Sequence, residues 1–250
     1  MQQMRRSHKW TAIAATSFIL WELACVIADV DSFPHSWEIA RDFIPLAFTL
    51  FFWESVGITI FISFWGFIFG TSLALLLGIS IALSNSGEKA TRGTINFFRA
   101  IPSVVFLPLL IASIGASIRT SVILTTLVVT LMSINYVIRG VQGVDPLLKE
   151  SASYSRLNGL DRILVLYLPS MISILGSALR LAGARAFGTV VAAGIIVGGP
   201  GLGSALGLAA SSANYSRVFS YAITMGVIGV LIYSGFTYLE NKFFRWRTTV

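Results

Sequence analysis

Two arginines are the side chains of this sequence with the clearest potential for chemistry in an apolar setting. Arg180 and Arg185 lie within the apolar run 170–197, where a charge at the centre of a spanning helix costs about 3 kcal/mol. Two interpretations stay open: the arginines line a solute pathway, or they form structural pairs with Glu22 or helix carbonyls. Asn135 and Thr189 are further candidates for a pathway lining. Two arginines would suit an anion such as a sulfonate, nitrate or carboxylate.

Residues for catalysis are scarce. The chain has two histidines, His8 and His35, and a single cysteine, Cys25. These numbers exclude a histidine-based metal site in the spans and an internal disulfide. No lysine follows a glycine, so a phosphate-binding loop of the Gly-Lys-Ser/Thr type is absent. The sequence therefore predicts a protein that is not an enzyme and binds no cofactor or metal itself.

The elements that must position these side chains are apolar helices. Of the 250 residues, 55% are hydrophobic and 12% are charged, about half the charge of a soluble domain. Runs of about 20 apolar residues are long enough to span a bilayer. They predict an all-α, polytopic protein with six transmembrane helices, at about 10–28, 56–83, 97–115, 119–139, 170–197 and 217–239. We expect Pro102 and Pro108 to kink the third helix, and Gly201 and Gly203 to form a tight turn after the fifth.

The charge distribution predicts the orientation. Basic residues concentrate before the first span, after the second and fourth, and after the last, so the positive-inside rule places both termini in the cytoplasm. The net charge of +7 then reports topology and not nucleic-acid binding. We divide the chain into an N-terminal part (1–55), a core (56–240) and a basic cytoplasmic tail (241–250).

The longest predicted cytoplasmic loop, 140–169, has two helical pieces separated at Asn158 and Gly159. Both residue types tolerate left-handed backbone angles, which would end and redirect a helix. The loop is either the docking site of a cytoplasmic partner or an amphipathic connector on the membrane surface.

The stretch Glu150-Ser151-Ala152, followed by Tyr167-Leu168-Pro169, resembles the cytoplasmic signature of the permease subunits of ABC importers. Trp21-Glu22 and the run Arg99 to Ser103 resemble the nitrate/sulfonate/taurine branch of these permeases. The resemblance implies that the loop couples the chain to an ATPase through Glu150, Ser151, Ala152, Arg156, Asn158, Gly159, Leu168 and Pro169. The chain departs from the pattern at Ser151, at Arg156, where a glycine is expected, and at Gly194, where the branch usually has a glutamate.

The same resemblance implies an architecture and a set of partners. One N-terminal helix would precede a five-helix importer permease core in the bacterial cytoplasmic (inner) membrane. The chain would dimerise with itself or with a related permease and dock ATP-binding cassette ATPases, which bind the ATP and Mg. An extracytoplasmic solute-binding protein would deliver the solute. Two alternatives stay open: a self-contained channel or secondary transporter, and a structural or regulatory partner in a heteromeric permease.

Overall fold

The computed structural model describes residues 15–27, 30, 32–84, 86–155 and 157–243. Within these ranges all regular elements are helical, which confirms the predicted all-α class. The helices are α1 (Ala15–Ile27), α2 (Ser36–Ala47), α3 (Leu50–Leu83), α4 (Gly87–Ala100), a 3-10 helix (Ser103–Val105), α5 (Phe106–Ile114), α6 (Ile118–Gln142), α7 (Pro146–Tyr154), α8 (Gly159–Asp161), a π-helical stretch (Arg162–Tyr167), α9 (Leu168–Val197), α10 (Leu202–Ser211) and α11 (Tyr215–Phe243).

Several of these helices are long and apolar enough to cross a membrane. In the described part of the chain four segments meet that criterion, namely α3, α6, the segment that contains α9, and α11. The bent pair formed by α4 and the 3-10 helix with α5 makes a fifth when counted as one span, and α1 is a shorter apolar helix. The chain is therefore a multi-pass membrane protein, whereas the predicted number of six spans is not confirmed.

The predicted third span, 97–115, has a different form. It is divided between two helical segments that meet at an angle of 82°. The break falls at Pro102, and Ile101 before it is extended, with φ −73° and ψ 124°, as expected for a residue that precedes proline. Pro108 does not kink the helix as predicted: it lies in the first turn of α5, where backbone N–H groups have no partner inside that helix.

The centre of the molecule is the packing of α3 against α6. A Cβ atom added at Gly66 would lie 2.5 Å from Cβ of Thr125, and one added at Gly70 would lie 2.6 Å from Cβ of Val129. Thr130 also donates a hydrogen bond from Oγ1 to the Gly70 carbonyl oxygen across 3.1 Å. Small residues thus let the two backbones approach closely, as the small-residue spacing in α3 predicts.

Helix α9 lies against this pair, with Ala182 and Ala186 buried beside Val129. It ends at Gly198, which caps the helix in the left-handed region with φ +68°. Gly201, with φ +124°, lies in the predicted turn, whereas Gly203 lies in the first turn of α10, a helix that the sequence did not predict. The N–H of Leu202 at the start of α10 donates to Oγ1 of Thr59 across 2.8 Å, so α10 is anchored to α3.

Helix α1 is joined to the start of α2 by polar contacts. Glu22 of α1 accepts a hydrogen bond from the N–H of Ser36 across 2.9 Å, and its Oε2 lies 2.7 Å from Nδ1 of His35. The hydrogen bond with Glu22 raises the pKa of His35 above its ordinary value. Glu22 is therefore a partner of the loop before α2 and not of Arg180. The division of the chain at 55–56 stays a prediction; α3 runs across that position.

Candidate functional site

The loop between α6 and α9 is built from α7 and α8. Asp145 caps α7 by accepting a hydrogen bond from the N–H of Leu147 across 2.8 Å, and Pro146 stands in the first turn, where proline is favoured. Nη2 of Arg162 donates to the carbonyl oxygen of Lys149 across 3.4 Å and to Oγ of Ser153 across 3.3 Å. These bonds tie the two helical pieces of the loop together.

The break between the two helical pieces of the loop falls at the predicted residues, but the backbone conformation there differs from the prediction. Asn158 has φ −68° and ψ 171°, so it is extended and not left-handed. Its side chain accepts a hydrogen bond from the N–H of Asp161 across 2.9 Å, which makes it the N-cap of α8. Arg156 lies outside the described residues.

The loop has an inner and an outer side. On the inner side Ala152, Leu166 and Tyr167 are buried in a core cluster with Val141 and Met171. The outer side carries large apolar side chains that are mostly exposed in the described part of the chain: Leu147 (72% exposed), Tyr154 (88%) and Leu160 (72%), with Leu148 and Leu164 also exposed. We call Leu147, Leu148, Tyr154, Leu160 and Leu164 the outer apolar set.

The remaining residues predicted for coupling are divided between these two sides. Glu150, Ser151, Asn158 and Gly159 are exposed, and Leu168 is half-buried. Pro169 lies in the first turn of α9. Because α8, the π-helical stretch and α9 follow one another without a gap, the second piece of the loop continues directly into α9.

Arg180 forms an ion pair. Its Nη1 lies 3.0 Å from Oε2 of Glu240, whose other oxygen accepts a hydrogen bond from Oγ of Ser177 across 3.3 Å. The guanidinium also lies over the ring of Tyr233, 5.4 Å from its centroid. Glu240 escaped the sequence analysis because the predicted last helix ended at residue 239, whereas α11 continues to Phe243.

Arg185 has a different environment. Within the described part of the chain it forms no ion pair. It lines a cavity of about 320 Å³ at the break between α4 and the 3-10 helix, together with Arg99, Pro102, Ser103 and Met132. A cavity with two guanidinium groups and no carboxylate is suited to a small anion. Arg99 belonged to the family resemblance in the sequence but was not predicted as a site residue.

The other two pathway candidates lie apart from this cavity. Thr189 is buried, 7% exposed, and its hydroxyl donates to the carbonyl oxygen of Arg185 across 2.8 Å. Asn135 is half-buried and lines a second cavity of about 240 Å³ between α4 and α6. Arg99 lines both cavities, so it marks where they adjoin.

Two glycines near the end of α9 explain one departure from the family pattern. A Cβ atom added at Gly194 would lie 3.0 Å from Cα of Gly203, and one added at Gly203 would lie 2.3 Å from the carbonyl oxygen of Val191. Helix α10 thus rests directly on the backbone of α9. A glutamate at position 194 would have to displace α10.

Comparison with known proteins identifies relatives over most of the chain. A model of the family of binding-protein-dependent transport system inner membrane components matches residues 70–245. An ABC transporter permease protein of Methanocaldococcus jannaschii is 27% identical over 183 residues, which are 73% of this chain and 68% of that protein. The aliphatic sulfonates transport permease protein SsuC of Bacillus subtilis is 26% identical over 74% of this chain and 67% of its own length.

A further relative extends over more of the sequence. The nitrate import permease protein NrtB of Synechocystis sp. is 23% identical over 91% of this chain and 86% of its own length. Among solved structures, the MetNI methionine ABC transporter in an inward-facing conformation has a chain that superimposes with a TM-score of 0.67 at 15% identity, covering 77% of this chain and 95% of that one. This likeness supports the fold.

Proposed function

Because the chain belongs to the family of binding-protein-dependent transport system inner membrane components, whose members are non-catalytic permease subunits that work with ATPase partners, we propose that it forms the pathway of an ATP-driven importer for a small anion. The loop between α6 and α9 is the coupling element in this proposal. The end of the molecule that carries this loop faces the cytoplasm, as the basic residues predict.

The observation that carries the coupling proposal is the outer apolar set. The loop that bears these side chains is held in shape by hydrogen bonds and by its buried inner side. Large apolar side chains that stay exposed on a loop held in one shape are typical of a protein interface. An ATPase that gripped them would move α8, and α9 would follow because the two are continuous.

The cavity at the helix break supports the choice of an anion. Arg185 and Arg99 line it, and within the described part of the chain neither has a carboxylate partner. Relatives named for nitrate import and for aliphatic sulfonate transport point to the same class of solute. A second permease copy and an extracytoplasmic solute-binding protein would complete the assembly.

The coupling proposal is tested by changing the outer apolar set. The double variant Leu147→Ser, Leu160→Ser removes two exposed leucines, each of which would contribute about 1.5 kcal/mol or more if fully buried at an interface, and costs the fold little because both side chains are exposed. We expect the variant to fold normally but to lose most of its co-purifying ATPase. The matched control is Leu208→Ser, an exposed leucine on α10.

Transport in proteoliposomes provides the second measurement. We expect uptake of nitrate or an alkanesulfonate to require the ATPase and the binding protein, and to be lost in the double variant. Uptake by this chain alone would show instead a self-contained channel or secondary transporter. Normal ATPase association of the double variant would overturn the coupling role of the outer apolar set.

A further inference from the structure

The groove between α4 and α6 is strongly basic. Its cavity of about 240 Å³ lies beside the end of α6 from which the loop 140–169 begins. Three arginines line it against one glutamate. The lining residues are Glu88, Thr91, Arg92, Ile95, Asn96, Arg99, Asn135, Ile138 and Arg139.

The one glutamate that lines the groove, Glu88, already has a hydrogen-bond partner. Oε2 of Glu88 accepts a hydrogen bond from Nε2 of Gln142. Arg92 and Arg99 form no ion pair with any described residue. Arg139 donates only its Nε, to the carbonyl oxygen of Asn135 across 3.2 Å, and its guanidinium lies 4.9 Å from the ring centroid of Tyr136. Among the described residues the groove thus presents several guanidinium donors without an anionic partner, and the guanidinium fork matches the geometry of phosphate oxygens.

The composition of α4 is typical of a helix that lies at a membrane surface. Helix α4 carries charged and amide side chains together with two exposed aromatic ones, Phe97 (65% exposed) and Phe98 (40%). It is bent by 82° from the segment that follows, and Ile95 alone among its residues is buried. Short helices that combine basic residues with exposed phenylalanines lie in the interface between headgroups and acyl chains.

We propose that the groove between α4 and α6 binds the phosphate of an anionic phospholipid. Arg92 and Arg139 hold the headgroup, and Phe97 and Phe98 lie beside the first part of the acyl chains. Basic pockets between helices on the cytoplasmic side of a membrane are suited to such headgroups. The site is distinct from ATPase coupling, because none of the outer apolar set lines it, and it rests on the proposed function only for its place on the cytoplasmic side.

The test uses the full chain in nanodiscs of phosphatidylcholine that contain a minor fraction of phosphatidylglycerol. The chain is then extracted in mild detergent, and mass spectrometry counts the phosphatidylglycerol that each protein retains. We expect the wild type to be enriched in this lipid over the bulk bilayer. The variants Arg92→Gln and Arg139→Gln each lower the enrichment by about fivefold, the usual effect of one basic residue near an anionic surface, and the double variant lowers it further.

The controls separate this lipid from other anions and from a general effect of charge. Arg119→Gln removes an exposed arginine at the opposite end of α6 and leaves the enrichment unchanged. Inorganic phosphate, added during extraction, does not displace the lipid, because the acyl chains add affinity that free phosphate lacks. Arg92 and Arg139 are both exposed, so the thermal unfolding of their variants in pure phosphatidylcholine matches the wild type, and either single variant serves if the double variant is unstable.

Three results would overturn the proposal. One is equal phosphatidylglycerol enrichment in the wild type and the double variant. Another is displacement of the lipid by inorganic phosphate, which would identify a site for the free anion. The third is a double variant that retains the lipid but loses its ATPase, which would make the groove part of a protein interface.

Discussion

Arg180 and Arg185 lie on the same helix, α9, but have different partners and different surroundings. Arg180 faces α11, where Glu240 and the ring of Tyr233 receive its guanidinium. Arg185 faces the helix break near Pro102, where a cavity and a second arginine, Arg99, surround it. Arg180 links α9 to α11 through an ion pair, whereas Arg185 forms no ion pair with any described residue.

This difference shows that the depth of a charge in an apolar helix does not reveal its role. The sequence alone offered the same two interpretations for both arginines. The structure shows that the pairing interpretation fits Arg180, with a partner other than the one proposed, while Arg185 stays a candidate for the solute pathway. Variants of each residue should therefore affect different measurements.

The largest effect is expected from breaking the pair. Among the described residues, Arg180→Gln leaves Glu240 with only the hydrogen bond from Ser177, and removing one partner of a poorly exposed ion pair costs about 3 kcal/mol. We expect a clear fall in the thermal unfolding temperature in detergent. The double variant Arg180→Gln, Glu240→Gln should be less destabilised than the sum of the single variants by about 1 kcal/mol.

Arg185→Gln is the control for that comparison, with an expected loss of under about 0.5 kcal/mol. Equal destabilisation by the two arginine variants would contradict the distinction between the two residues.

A smaller loss of stability is expected from Gly183→Ala, which tests the packing on the paired side of α9. An added Cβ would lie 2.3 Å from Cε2 of Phe236, one turn before Glu240 on α11. Such overpacking costs about 2 kcal/mol, so the unfolding temperature should fall. Gly188→Ala is the matched control on the same helix, because an added Cβ there has nothing within 4 Å. If both alanines were equally harmless, α11 would not be packed on α9 as described.

The smallest effect in energy is expected for Arg185→Gln, and it should appear in transport. Loss of one charge-assisted contact to an anion lowers uptake by roughly tenfold, equal to about 1.4 kcal/mol. Uptake of nitrate or an alkanesulfonate into proteoliposomes with ATPase and binding protein measures it. Arg185→Lys keeps the charge and should retain part of the activity. Undiminished uptake by Arg185→Gln would exclude this arginine from the pathway.

The fold was more predictable than the site. Long apolar runs located α3, α6, α9 and α11, because crossing a bilayer requires helices of that length and composition. The break at Pro102 was foreseen as a kink, but hydropathy carries no directional information, so the angle of 82° was not. Helix α10 was missed because its short apolar sequence follows a glycine-rich turn.

The site depended on contacts between distant residues. Glu240 is far from Arg180 in sequence, and only the packing of α11 on α9 brings them together. The sequence predicted two helical pieces in the loop but not which of their apolar side chains are buried. In the structure Ala152 is buried, Leu147 and Leu160 are exposed, and α7 is held to the π-helical stretch by the hydrogen bond from Arg162 to Ser153.

The π-helical stretch Arg162–Tyr167 has a mechanical consequence. It joins α8 to α9 and accommodates one more residue in its turn than the α-helical turns on either side. Conversion of this stretch to a regular α-helix would rotate everything beyond it relative to α8 by roughly 100°, while every segment stayed helical. A displacement of α8 would then become a rotation of α9 within the bilayer, and this rotation would present Arg185 to a different set of neighbours.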